Sequence, residues 1–484
     1  MKFNSLEFII FFIVFFFLYW FICNRNLKSQ NLLLLVGNYL FFAWWDWHFL
    51  FLLICSSTIN YFIGIYIDKT ENEKKRRLLI FLGLLQGLGV LLFFKYYNFF
   101  VTSFVDAFAA FNINLNISTL KLILPLGISF YTFRAISYLL DIDNGTIKPT
   151  KNWVVFFAYL SFFPSLLAGP IDRAKSFIPQ IQKKRVFDYY QSSNGLRQIL
   201  WGLFKKVVIA DNCAFLTNYI FNNYQDLPSS TLLIGAFLYC IQVYADFSGY
   251  SDMAIGVSNL LGIRITKNFN YPFFAQNIAE FWQRWHISLT SWMQDYVFTP
   301  LSFIFRKLGK YGLIIAIIIN FTLVGLWHGA NWTFIVFGFL QGLYFIPLII
   351  KGTLNKKKTT ANDNLLPDAK GFIKGLGTFI LVMLTTVIFR ADNVSQAVGY
   401  YKKLFSFSSL LSKPITNDGL TMVITLVFIL IMFITEWLQR KKDYGLQIDA
   451  IKSRYLRIFI YYMLVLIVFI FRANESNQFI YFQF

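Results

Sequence analysis

Charge, cysteine and histidine are all scarce in this chain. Of its 484 residues only 14% are Asp, Glu, Lys or Arg, four are Cys and three are His. Soluble domains carry about 25% charged residues, so a water-soluble globular protein is excluded. A disordered chain is excluded as well, because 57% of the residues are hydrophobic and 20% aromatic, with 59 Phe. The cysteines, Cys23, Cys55, Cys213 and Cys240, lie far apart in or beside apolar segments, and no CxxC occurs. That spacing supports neither a disulfide framework nor structural zinc, and four buried or lipid-facing thiols are expected. No Walker A loop, GxGxxG or HExxH is present. Gly249-Tyr250-Ser251-Asp252-Met253 fails the GxSxG nucleophile pattern at its last position.

What is there in abundance is apolar sequence in runs of about 18–25 residues without alternation, the length an α-helix needs to cross roughly 30 Å of hydrocarbon. A β-barrel would alternate over segments of about 10 residues. The expected fold class is all-α, a polytopic integral membrane protein with about 11–14 spanning or buried helices. Spans are read at Phe8–Cys23, Leu32–Trp44, Trp47–Ile67, Leu78–Phe94, Leu120–Leu140, Trp153–Leu167 and Leu196–Ile220. They continue at Leu232–Leu261, Gly312–Leu326, Trp332–Ile350, Phe372–Phe389, Leu420–Trp437 and Ile458–Phe471. Residues 1–484 are read as one membrane-embedded domain, with a motif-rich core at about 120–345, a polar linker at about 355–370 and C-terminal helices at about 371–484. No internal repeat and no separate soluble domain is visible.

The net charge of +20 comes from short basic loops such as Lys74–Arg77, Lys183–Arg185 and Lys356–Lys358. Basic loops between spans mark the cytoplasmic side, and no nucleic-acid motif accompanies them, so no nucleic-acid partner is expected. The first span lacks a small-residue cleavage site and is expected to be retained. Arg25 and Lys28 follow it, so the N-terminus is expected on the extracytoplasmic side, with membrane lipids around the helices.

Polar residues inside apolar runs cost several kcal/mol unless paired or hydrated, so they are the informative ones. Trp327-His328-Gly329-Ala330-Asn331-Trp332 places an imidazole, able to accept a proton near neutral pH, between two apolar runs. A structural, hydrogen-bonded histidine is the plainer alternative. In Glu280–Tyr296, the residues Trp282, Trp285, Leu289, Trp292, Met293 and Tyr296 follow 3–4 spacing as one amphipathic stripe, with His286 beside it and Glu280 and Arg284 as i, i+4 partners. An interfacial helix with an incidental histidine is the alternative there. Asp246-Phe247-Ser248-Gly249-Tyr250-Ser251-Asp252 puts two carboxyls inside a long span, which suits a functional cavity or a network that orders helix packing. His48, among Trp44, Trp45, Asp46 and Trp47, reads as an interfacial belt. Asp141-Ile142-Asp143 is a lone DxD, too weak to carry metal-dependent glycosyl transfer.

These blocks resemble the membrane-bound O-acyltransferase family, in particular its bacterial alginate O-acetyltransferase-like subgroup. The matching stretches are Pro125–Phe133, Leu167–Ile171, Gly202–Asp211, Asp246–Gly256, Asn268–Asn270, Glu280–Leu289, Gly325–Trp332, Phe389–Ala391 and the ending Gln478–Phe484. The resemblance implies a helical bundle with a central tunnel and transfer of an acyl group from a cytoplasmic donor to an extracytoplasmic hydroxyl. The family's essential histidine matches His328 and its second histidine His286. It implies no bound cofactor and no metal, with acetyl-CoA or an acyl carrier protein as co-substrate. The implied partners are a glycan acceptor and an extracytoplasmic acetyltransferase or relay protein. On this basis His328 is the expected general base and His286 a positioning group, with Asp246, Ser248, Tyr250, Asp252, Arg284, Trp285, Trp327 and Asn331 lining or supporting the path. A transporter or flippase, or an idle acyl-relay partner, would carry the same polar midplane residues for a different purpose.

Overall fold

The computed structural model describes residues 1, 3–354, 368–406, 409–473 and 479–480, and among them the chain is helical with no strand. Most of the expected polar linker at 355–370, and Gln478 with 481–484 of the C-terminal motif, lie outside the described residues. Among the described residues eight helices are long and apolar enough to cross a membrane: Leu6–Arg25, Trp47–Lys69, Glu73–Ala109, Ser229–Leu260, Arg306–His328, Trp332–Ile350, Ala369–Arg390 and Gly419–Leu438. Their outward faces are apolar, with Phe51, Phe81, Phe372 and Leu430 all exposed. An exposed apolar face of this extent fits lipid rather than water. The polytopic all-α expectation is therefore met.

The chain divides into two compact units, residues 1–196 with 254–266, and residues 197–253 with 267–484. In the first unit two expected spans are broken, and each break has a visible cause. The helix expected over Leu120–Leu140 starts only at Ile128. Pro125 removes a backbone donor, and Gly127 has φ +73°, where an added Cβ would sit 2.6 Å from the Leu166 carbonyl oxygen. The span expected over Trp153–Leu167 is two short helices, Trp153–Leu160 and Phe163–Leu166, the second with Pro164 in its first turn.

A break at membrane depth needs replacement partners for the freed backbone groups. Asn38 supplies some: its amide donates to the Ala158 carbonyl, and its oxygen accepts from the Phe163 N–H at 3.0 Å. Buried Arg134 supplies the rest, donating to the Ser165 and Pro170 carbonyls at 3.0 and 3.1 Å and to the Ser165 hydroxyl. Basic segments of this unit meet through Arg76–Asp143 at 2.7 Å, Arg185–Asn31 at 2.7 Å, Gln182–Thr150 and Gln180–Arg264. The loops at Arg25–Lys28, Lys69–Arg77, Lys183–Arg185 and Arg264 thus share one end. His48 lies far from any cluster of polar groups in this unit. It is exposed, its Nδ1 is 2.8 Å from Asp46, and it stacks on Trp47 at 3.9 Å.

The second unit is organised on the central helix Ser229–Leu260, whose apolar window is 83% buried, against 17% for Glu73–Ala109. At 32 residues it is about 48 Å long, well over the hydrocarbon thickness. It crosses the helix made of Tyr189–Leu203, Phe204–Ala210 and Asp211–Asn222 at a glycine pair. A Cβ on Gly202 would stand 2.5 Å from the Gly249 carbonyl oxygen, and one on Gly249 2.8 Å from that of Gly202. Only glycine lets the two backbones approach this closely in an environment where packing rather than water drives association. The consequence lies one turn on, where Lys205 and Lys206 face the carboxylates of the central helix.

Candidate functional site

Two charged clusters and two imidazoles collect in the second unit. The Lys205–Lys206 segment is a π-helical turn, in which the Asp211 N–H bonds back to the Lys206 carbonyl five residues earlier. That widened turn brings Asp211 onto the face of Lys206, whose Nζ lies 2.9 Å from Asp211 and 2.7 Å from Asp246. Asp246 also accepts the Ile480 backbone N–H at 2.7 Å. Lys205 reaches the other way, 2.6 Å from Asp252 and 3.9 Å from Glu436. Asp252 accepts further from Gln198 at 2.8 Å, and both Glu436 oxygens accept from the Tyr244 hydroxyl. Asp246 and Asp252 therefore belong to two buried ion-pair clusters and are held by lysines that the reading of the sequence did not single out. Buried Ser248 lies between them on the central helix, and Tyr250 packs on Phe479 at 4.8 Å.

The expected stripe of Trp282, Trp285, Leu289, Trp292, Met293 and Tyr296 is not one helix. Ile278–Arg284 ends, His286 takes φ +44°, and Ile287–Met293 begins. A non-glycine residue held left-handed costs about 1–3 kcal/mol and persists only where its surroundings impose it. Here they do. The Ile287 N–H donates to the Asn268 carbonyl at 2.9 Å, and the Ser288 hydroxyl donates to the Asn268 side chain at 2.6 Å. The Asn268 amide donates on to Ser251 of the central helix, and the Asn270 N–H caps the Arg284 carbonyl. The strained turn thereby drives the His286 imidazole into the interior, where it is fully buried with its ring 4.6 Å from Phe247. This turn lies outside the eight candidate spans. Burial, and then the nearby His328, hold its imidazole well below the ordinary histidine range, so it is neutral at pH 7.

His328 is the last residue of Gly309–His328, and extended Gly329 then turns the chain into Trp332–Leu343. The two helices touch through glycines, since a Cβ on Gly325 would lie 2.1 Å from the Phe334 carbonyl and one on Gly338 2.2 Å from that of Phe321. His328 is buried, with ring centroids 5.1 Å from Phe389 and 5.0 Å from Trp327. Trp327 in turn lies 5.7 Å from His286, so one indole contacts both imidazoles. Beside His328 is a small cavity of about 30 Å³, walled by Cys240, Val243, Trp285, Val382, Thr386 and Phe389 among others. Gln341 also lines it and is fixed by the Trp282 indole N–H at 3.0 Å. A mostly apolar pocket with an imidazole, a thiol and few convergent polar atoms is the general form of a small-molecule site.

Of the expected site residues, His328 and Trp285 share this cavity, and Trp327 and His286 adjoin it through ring contacts. The other six, Asp246, Ser248, Tyr250, Asp252, Arg284 and Asn331, do not line it. Asn331 caps the next helix, accepting from the Thr333 N–H at 3.0 Å and donating to the Asp392 carbonyl at 2.8 Å, so its polar atoms serve the turn. Arg284 pairs with Glu280 at 2.6 Å, as its spacing implied, and stays partly exposed. Lys205, Lys206, Asp211, Glu436 and Asn268 were missed as site residues. All but Glu436 stand in stretches that carried the family resemblance.

Several known proteins are similar to this chain in sequence. The family model "MBOAT, membrane-bound O-acyltransferase family" matches residues 150–383. A Pseudomonas aeruginosa protein named "probable alginate O-acetylase AlgI" is 36% identical over 87% of this chain and 78% of its own. A Helicobacter pylori peptidoglycan O-acetyltransferase is 32% identical over 85% of this chain and 81% of its own. A Streptococcus thermophilus teichoic acid D-alanyltransferase is 32% identical over 54% of this chain and 68% of its own. Similarity over most of the chain to relatives named for acyl transfer and a buried histidine in the matched region point the same way: this chain belongs to the membrane-bound O-acyltransferase family and is a membrane O-acyltransferase.

Proposed function

We propose that the chain transfers an acetyl group from a cytoplasmic thioester, acetyl-CoA or an acyl carrier protein, to a hydroxyl of an extracytoplasmic polysaccharide or of a relay partner. The observation that supports this most is His328, buried at the wall of a small apolar cavity with Trp327 and His286 beside it. In the reaction the acceptor oxygen forms a bond to the acyl carbon and the carbon–sulfur bond breaks. The hydroxyl proton passes to His328 and from there to the leaving thiolate. A base so placed contributes typically about 10²–10⁴-fold, and the remaining acceleration comes from orientation and from charge stabilisation at the carbonyl oxygen. His286, neutral and rigidly turned inward, positions the reacting groups rather than exchanging a proton. The shared basic end of the first unit is proposed to face the cytoplasm of a bacterial cell, which leaves the N-terminus outside.

The test is the ester-linked acetyl content of the surface and secreted glycan, compared between cells with and without the chain, followed by transfer by the purified protein alone. Acetyl ester that depends on the chain supports the proposal. Transfer that needs a second protein assigns the final step to that partner, and glycan acetylation that ignores the chain overturns the proposal. A narrower expectation concerns Asn268. Asn268→Ala removes the acceptor that holds Ser288 and the link to Ser251, so His286 loses its imposed conformation. Transfer per mole of protein should fall between about tenfold and a hundredfold, as for a small misplacement of a positioning group. An unchanged rate would separate Asn268 from the site.

A further inference from the structure

The cavity at His328 is not the largest space in its unit. A second cavity, of about 400 Å³, opens between Ala369–Arg390 and Gly419–Leu438. Its wall on the first of these helices includes Gly371, Gly375 and Phe379, flanked by the exposed Phe372 and Leu376, and the small cavity continues that row of three with Val382, Thr386 and Phe389. Steps of four, four, three, four and three residues keep all six on one face. The central helix repeats the pattern. Phe237 borders the large cavity, and Cys240 and Val243, one and two turns on, border the small one. Between the two spaces lies a layer of rings. Phe379 stands edge-on to Phe273 at 5.1 Å and lies 6.1 Å from Phe237. Phe273 reaches Trp285 of the small cavity at 6.2 Å.

We propose that this aromatic layer is a length gauge for the acyl group, with Phe379 its deciding residue. The inference rests on the acyl-transfer function and adds what sets the acyl chain length. A water-sized group needs roughly 10–15 Å³, so about 30 Å³ beside His328 admits two or three such groups: an acetyl, and no chain of four carbons. A longer chain meets the rings. Behind them lies about 400 Å³ of mostly apolar space, bordered outside by exposed Phe372 and Leu430, large enough for a medium chain and not lined by the histidine. Removing the Phe379 ring joins the two spaces. A pocket discriminates by roughly 10–200-fold for each methylene it excludes, so the change in preference is large enough to read.

The test uses the full chain in permeabilised membranes that carry the cell's own glycan. One set receives radiolabelled acetyl-, butyryl- or octanoyl-CoA, and a second receives the same acyl groups on a phosphopantetheinyl carrier protein, which distinguishes the two thioester sources. Alkali-labile label on the glycan is counted, with His328→Ala membranes as background. Wild type should transfer acetyl and neither longer group. In Phe379→Ala the butyryl-to-acetyl ratio should rise about tenfold or more, with acetyl transfer still detectable as the report of a folded protein. Phe379→Leu, which keeps more of the packing, should rise less and serves if the alanine variant does not accumulate. Wild type that accepts octanoyl as readily as acetyl overturns the gauge, as does an unchanged ratio in a variant that still transfers acetyl. Wild type that transfers nothing above background from either donor overturns the acyl-transfer function itself.

Discussion

Replacing His328 by alanine is expected to lower acyl transfer by about a hundredfold or more, to the background of cells lacking the chain, while the protein still accumulates in the membrane. The loss follows from removing the only imidazole among the residues that line the small cavity. Accumulation follows from the way the turn after His328 is held. Gly325 and Gly338 pack backbone to backbone, and Asn331 caps the next helix, and neither contact uses the imidazole. His328→Gln separates the two ways alanine could act, because it restores most of the volume and the hydrogen-bonding capacity without restoring a base. Both variants should fail equally when glycan ester is measured per mole of membrane protein. A glutamine variant near the wild-type rate would show that His328 shapes the cavity and that the proton is taken elsewhere.

Replacing Lys206 by methionine is expected to be the most damaging substitution for stability. Its ammonium lies 2.7 Å from Asp246 and 2.9 Å from Asp211, and all three side chains are buried. Breaking a buried pair by deleting one partner costs about 3–5 kcal/mol, a large part of the roughly 5–15 kcal/mol that holds a typical domain folded. Here two carboxylates lose their cation at once. The variant should accumulate several-fold less and melt earlier in detergent. Adding Asp211→Leu and Asp246→Leu removes the stranded charges, and the triple variant should recover accumulation although not activity. Asp246→Asn should be milder, since an amide oxygen still accepts from the Ile480 N–H. A Lys206→Met protein that accumulates and melts as wild type does would show that the pairing contributes nothing.

The bundle was legible because hydropathy is a signal that each segment carries by itself. Breaks were legible in principle too. Pro125 and Gly127 stand inside the run read as Leu120–Leu140, and Pro164 inside Trp153–Leu167, yet the apolar character on either side outweighed them. Asn331 carried an available cap signal, a short polar residue directly before an apolar helix. The strained turn at His286 was not legible. The 3–4 spacing of Trp282 and Trp285 with Leu289 and Trp292 continues straight through it, and nothing in the local sequence demands a left-handed residue. What imposes it is Asn268, some 20 residues away. Lys205 and Lys206 were hidden for a similar reason. A basic pair inside a span gives no sign of its carboxylate partners until those at 246, 252 and 436 are brought alongside, and the Gly202–Gly249 crossing does this for the two on the central helix.

The bond from the Ile480 N–H to Asp246 has a consequence for how the protein is made. Its two ends are 234 residues apart, so a ribosome has threaded nearly half the polypeptide into the bilayer between synthesising one and the other. Throughout that interval the insertion machinery, surrounding lipid or water must shelter the Asp246–Lys206 pair. Closure around Asp246 is therefore a late event that waits on synthesis of residue 480 rather than on entry of the earlier helices. A chain stalled before residue 480 would already hold both histidines and still lack the contact that closes around Asp246.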